Sequence, residues 1–192
     1  MTKEIFQIQI ALRGFKPKIW RRLLIPSGLK LADLHNIIQT AMGWSDEHLH
    51  QFIKNRTFYT VRMKDDLFWG DLDNVDYKNI KVSDLLSLEK EQIIYEYDFG
   101  DGWEHDIILE KILPFDAAFK HPVCLKGKMN CPPEDCGGIW GYANMLEILI
   151  QPDHEEYENY IEWLGDEFDP EFFDIDEVNE LLSEKDYGCI VW

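Results

Sequence analysis

At 192 residues, 45 % hydrophobic and 14 % aromatic, the chain suits one domain with a full core, burying roughly 70 % of the surface its unfolded form exposes. A net charge of −18 repels phosphate backbones and anionic lipid, so duplex DNA and membrane surfaces are excluded as expected partners. No apolar run of about 18 residues occurs and Met1-Thr2-Lys3-Glu4 leads straight into a strand pattern, so the expectation is a cytoplasmic chain with neither membrane span nor signal peptide.

The charge is unevenly spread. Residues 153–186 hold 15 acids against the single base Lys185, whereas the first 30 residues carry seven bases against Glu4. In a reducing compartment Cys124, Cys131, Cys136 and Cys189 read as thiols or metal ligands rather than disulfides.

Phe6, Ile8, Ile10 and Leu12 alternate with Gln7, Gln9 and Ala11, which predicts a strand near 4–13 with one face in the core. A Gly14-Phe15-Lys16-Pro17 turn joins it to a second strand near 18–26, stopped by Pro26, and the two pair as a hairpin. Arg21 shares a face with Ile19, Leu23 and Ile25, so it is expected at an edge or beside a carboxylate, as a surface ion pair. Leu31, Leu34, His35, Ile38, Ala41 and Met42 form one helical stripe over 31–42, closed by Gly43, with His35 a packed core histidine. In the strand expected near 48–54, period two puts His48, His50 and Phe52 on one face, and a His-x-His pair can aim two imidazoles at one metal ion.

Residues 58–63 look like a further strand, 64–80 like a polar loop anchored by Trp69, and 82–86 like a short helical turn. The strands near 92–99 and 103–112 flank Gly100-Asp101-Gly102 and form a second hairpin. If Asp101-Gly102 is the loop, facing residue numbers sum to 203 and Asp98 meets His105. If Gly100-Asp101 is the loop, the sum is 201 and Glu96 meets it; a three-residue loop, sum 202, would pair His105 with Tyr97. Either two-residue loop sets a carboxylate about 5 Å from the imidazole, an arrangement that fixes a histidine tautomer for acid–base chemistry or behind a metal.

Beyond Pro114 the chain is irregular. Cys131-Pro132-Pro133-Glu134-Asp135-Cys136-Gly137-Gly138 reads as a rigid loop, its backbone dictated by two prolines and two glycines. Cys124, Cys131 and Cys136 are spaced more widely than the usual zinc signature, yet with His121 or His105 they make a candidate structural zinc site. Helices are expected near 140–150, 154–164 and 175–184, the last opened by a capping box at Asp174, and Asp169-Pro170-Glu171 has the pattern of another helix start. The acids from Asp166 to Asp176 lack the central glycine of a calcium loop.

Several strings then stand together in order: Ala41-Met42-Gly43-Trp44 with His48-Leu49-His50-Gln51-Phe52; Tyr97-Asp98-Phe99-Gly100-Asp101-Gly102-Trp103 with His105; Cys131 to Gly138 with Gly141-Tyr142; and Phe168-Asp169-Pro170. Over nearly the whole chain they resemble the plasmid pRiA4b ORF-3-like family. The resemblance implies a single compact α+β domain found in bacteria and archaea, sometimes as a passenger of insertion sequences, and it assigns no reaction. A resolvase-like activity finds no basic recognition helix and no serine-nucleophile context here.

The expected architecture is therefore α+β: one domain over 1–192, a mostly antiparallel sheet of about five strands packed by helices, and an acidic helical C-terminus. The leading functional reading is a binding or interaction module for a small molecule or a protein partner, its pocket lined by His48, His50, Asp98, Asp101, Trp103, His105, Glu134 and Asp135. Two alternatives involve a divalent metal such as zinc: a hydrolase in which His48, His50, Asp98 and His105 hold the ion and Glu134 or Asp135 acts as base, or a purely structural site at Cys124, Cys131, Cys136 and His121.

Overall fold

The computed structural model describes residues 4–62, 74–165 and 168–189. Its strands are β1 (Glu4–Leu12), β2 (Trp20–Pro26), β3 (His50–Lys54), β4 (Thr57–Thr60), β5 (Asn74–Asp76), β6 (Gln92–Tyr97), β7 (Trp103–Pro114) and β8 (Val123–Lys128). The helices are α1 (Leu31–Met42), α2 (Val82–Leu85), α3 (Gly138–Leu149), α4 (Tyr157–Leu164) and α5 (Ile175–Leu182). All eight strands join one sheet in the order β5-β4-β3-β6-β7-β1-β2-β8, antiparallel except for the β4–β5 pair.

The mixed helix-and-sheet class and the antiparallel pairing agree with the pattern; the strand number does not. Five strands undercount the sheet by β4, β5 and β8, all short edge elements. β5 has three residues and no alternation of its own, and it becomes a strand only by lying parallel to β4. β8, Val-Cys-Leu-Lys-Gly-Lys, lies at the other edge, where its Cys124 backbone is clamped by one side chain of α5. Asn179 accepts from Cys124 N at 2.7 Å and donates to Cys124 O at 3.0 Å, as a neighbouring strand would. Residues 64–73 of the expected polar loop lie outside the described residues. The start expected at Asp169-Pro170-Glu171 is a turn, where Asp169 Oδ1 accepts from Glu171 N at 2.8 Å, and the helix begins only at Ile175.

One sheet face is buried and one is wet, as an antiparallel sheet allows. Ile93, Tyr95 and Tyr97 of β6 and Trp103, His105, Ile107 and Leu109 of β7 all point into the core with Phe6, Ile8 and Ile10 of β1 and the apolar stripe of α1. On the opposite face Arg13 pairs with Glu104 at 2.7 Å and Asp106 at 2.9 Å. Arg22 grips Glu110 with two nitrogens, at 2.6 and 2.8 Å. Glu110 is the residue left over where the β1–β7 register shifts between Gln7 and Ile8.

Arg21 is neither at an edge nor beside an acid. It lies buried under the Phe173 ring, 4.0 Å from its centroid, and donates to the carbonyls of Ala41 (2.7 Å), Trp20 (2.9 Å) and Lys128 (3.0 Å). The guanidinium fork replaces a carboxylate with three carbonyl dipoles and an aromatic face.

Candidate functional site

The β6–β7 register decides which groups reach the mouth of the sheet. Tyr97 faces Trp103 and Tyr95 faces His105, a sum of 200, leaving a five-residue loop over 98–102. None of the shorter loops forms. Asp98 leaves the ladder with φ of 53°, its Oδ1 accepts from Gly100 N at 2.9 Å, and its carbonyl accepts from Gly102 N at 2.6 Å. Aspartate tolerates this left-handed conformation better than most residues. The consequence is that Asp98 turns away from His105 and towards the segment before β3.

His105 is fully buried and meets neither Asp98 nor Glu96. Its Nδ1 lies 3.2 Å from the Trp103 carbonyl, its Nε2 has no partner, and its ring rests against Trp44 and Tyr95, at 5.2 and 5.7 Å between centroids. Burial pushes its pKa down to about 4, so it is a neutral core histidine. Trp103 is buried beside it.

His48 and His50 also separate. The strand begins at His50, and His48 precedes it in the loop after α1. His50 donates to or accepts from Tyr77 Oη at 2.5 Å and stacks on His35, 3.4 Å between centroids and 6° between planes. His35 in turn meets Asp46 at 2.7 Å and Tyr95 Oη at 2.8 Å, and Gln39 bonds both Tyr95 Oη and the Asp46 backbone. Burial and the neighbouring His35 hold His50 well below the usual histidine range. His35, Asp46 and His50 come close enough to be weighed as an ion-binding group. Their geometry argues against it, because a metal sits about 2.0–2.1 Å from a nitrogen and in the ring plane. Two parallel rings 3.4 Å apart cannot both satisfy that, so the cluster is a hydrogen-bonded aromatic stack.

The other group is different. His48, Asp98 and Asp135 come from three separate loops, and their donor atoms lie within 4.8 Å of one another. His48 Nδ1 is 3.8 Å from Asp98 Oδ1, and His48 Nε2, which makes no hydrogen bond, is 3.3 Å from Asp135 Oδ1. The two contacts use opposite nitrogens of one ring, and an ion is held by only one of them; with one donor atom taken from each residue, the three donors come within 4.8 Å of one another. Exposure grades outward, with Asp98 10 %, His48 27 % and Asp135 68 % accessible, so the group sits at a mouth rather than in the core.

The Cys131–Gly138 loop holds Asp135 in place. Trp44 Nε1 donates to the Pro132 carbonyl at 3.0 Å, and Glu134 accepts from Ser45 N at 3.1 Å and from the Tyr97 hydroxyl. Burial and Glu134 together raise the Tyr97 pKa, keeping that hydroxyl a donor. Asp101 Oδ2 accepts from Gly137 N at 3.1 Å, and a Cβ on Gly138, whose φ is +67°, would come 2.4 Å from the Asp101 carbonyl. Glycine is required at that contact. Glu134 and Asp101 are thus braces, while Asp135, with φ of 59°, points outward.

Among the described residues the cysteine set does not converge. Cys124 and Cys131 flank the Arg21 guanidinium, and burial raises both thiols; Cys136 is pushed up to about 12. His121 lies elsewhere, its Nδ1 on the Pro122 carbonyl in a cleft with Ile5, Leu24 and Phe115.

Comparison with known proteins bears on the whole domain. The sequence model of the family described as plasmid pRiA4b ORF-3-like protein matches residues 4–177. The chain belongs to this family. It is 32 % identical over 192 residues to the uncharacterized protein y4hQ of Sinorhizobium fredii (strain NBRC 101917 / NGR234), covering 96 % of this chain and 93 % of that one. It is also similar to the crystal structure of the protein of unknown function MM3350 from Methanosarcina mazei Go1, with 40 % identity and a TM-score of 0.80 over 92 % of this chain and 98 % of that one. None of the helices among the described residues is long and apolar enough to cross a membrane. Membership of the pRiA4b ORF-3-like family assigns the chain no reaction, since a shared fold does not carry a function with it.

Proposed function

We propose that this pRiA4b ORF-3-like chain is a binding module that takes a divalent cation at His48, Asp98 and Asp135, and that the ion organises the mouth for its ligand. The observation that carries the reading is the convergence of one imidazole and two carboxylates from three loops that brace one another through the Ser45–Glu134, Asp98–Leu49 and Gly137–Asp101 hydrogen bonds. A mixed nitrogen and oxygen set suits zinc or manganese. Three protein donors leave coordination positions open to the outside, which fits binding and exchange better than a closed structural site. Hydrolysis through His48, His50, Asp98 and His105 has less support: His50 and His105 are engaged elsewhere, Glu134 already accepts two hydrogen bonds, and Asp135 belongs to the ligand set itself.

The test is calorimetric titration of Zn²⁺ and Mn²⁺ into chelator-treated protein without a histidine tag. One equivalent should bind to the wild type and none to the His48→Ala variant. Equal binding by both proteins would remove the reading.

A further inference from the structure

A second surface lies next to the mouth. The back of the Cys131–Glu134 loop and the end of α4 line a groove of about 370 Å³, in which Trp163, Phe168, Pro132 and Pro133 stand beside the polar Ser45, Asn130 and Glu134. That volume is at the small end of ligand clefts and suits one or two side chains. The helix that forms one wall is unusual, since none of its eight residues is buried, although Tyr160 and Leu164 lean on the core. Trp163 remains 48 % exposed, edge-on to Tyr160 at 6.3 Å.

The electrostatic setting selects the occupant. Residues 153–186 carry 15 acids and one base, and the ion pair formed there among the described residues is Lys185 with Asp186. The three arginines of the chain's own basic edge are engaged elsewhere: Arg13 is held by Glu104 and Asp106, Arg22 by Glu110, and Arg21 is buried beneath Phe173. A second copy of the chain would bring the same −18 charge to the surface. A groove that sets aromatic and proline walls beside polar lining, on a segment with 15 acids and one base, matches a cationic head on an apolar stem. Arginine and lysine have that form, and an indole face is the best aromatic partner for the head.

We propose that this groove docks an arginine- or lysine-bearing segment of a protein partner, with the cation over Trp163 and the aliphatic stem against Pro132, Pro133 and Phe168. The groove shares the Cys131–Glu134 loop with the cation site, whereas Trp163 and Phe168 belong to the groove alone.

The probe is a fluorescein-labelled decapeptide in which arginine alternates with leucine and alanine, read by anisotropy, with a counterpart carrying glutamine for arginine. The arginine peptide should bind full-length protein at low salt, and the glutamine peptide should not. Trp163→Ala should weaken binding about tenfold and Trp163→Phe less, as a lost cation–π and stem contact implies. Raised salt should weaken it further. Added chelator should leave the affinity unchanged. Equal binding by Trp163→Ala and wild type, equal binding of the two peptides, or loss of binding on adding chelator would each overturn the assignment. Circular dichroism of the two Trp163 variants, both on the surface, checks that the fold is intact.

Discussion

His105 offers the sharpest separation between a working histidine and a structural one. Its folded pKa of about 4 lies below the free value of 6.5, so between those limits the unfolded chain binds more protons and stability must rise with pH. The sign follows from burial: the neutral ring is what the core accepts, and acid draws the histidine out. The difference of 2.5 units has a ceiling of about 3 kcal/mol, and at pH 5 the loss relative to pH 7.5 is about 2 kcal/mol. Urea unfolding of wild type and His105→Leu at both pH values isolates this, because His50 and the carboxylates titrate in both proteins and cancel in the difference. The wild type should lose about 2 kcal/mol more than the variant on going to pH 5. Metal uptake should be the same in both proteins. Equal pH losses would show that His105 is charged or solvated in the fold, and loss of the ion in His105→Leu would return it to the site.

Other changes test the remaining contacts. Asp135→Asn should weaken Zn²⁺ or Mn²⁺ binding at least about tenfold in calorimetry while shifting urea stability by less than about 0.5 kcal/mol, since the side chain is exposed; unchanged affinity would exclude it as a ligand. Gly138→Ala, forced against the Asp101 carbonyl at positive φ, should cost more than about 1 kcal/mol and also weaken cation binding, because it displaces the loop that presents Asp98; a neutral result would mean the two loops part without consequence. Asn179→Ala removes both hydrogen bonds to the β8 edge and should cost about 1–3 kcal/mol in thermal or urea unfolding, with increased aggregation as a second sign. Duplex DNA at physiological salt should produce no anisotropy change at micromolar protein, and salt-sensitive binding there would contradict the charge argument.

Much of the architecture was legible because it depends on local periodicity. α1 runs over the residues its apolar stripe marks, with Gly43 closing it in the left-handed conformation, and Asp174 caps α5 through the amides of Asp176 and Glu177. The parity of the central hairpin was also present in the sequence. Tyr95, Tyr97, Trp103, His105 and Ile107 are all odd-numbered and all inward, so facing numbers must sum to an even value, which the two-residue loops violate. Loop length was not legible, because it depends on Asp98 adopting a positive φ and docking on Leu49 through its amide at 2.9 Å, a contact 49 residues away. The same limit hid His35 and Asp46: a histidine on an apolar stripe signals a buried polar partner, but only folding brings His50 and Tyr95 to it. It also governed the short edge strands β5 and β8, which have no pattern of their own and exist because a neighbour supplies their hydrogen bonds. Sequence alone therefore determined the faces of the long elements and the excess of acid in the tail. Tertiary structure decided which loops meet, drawing His48 to Asp98 and Asp135 and leaving His105 in the core, because desolvation and ladder register act between residues far apart in the chain.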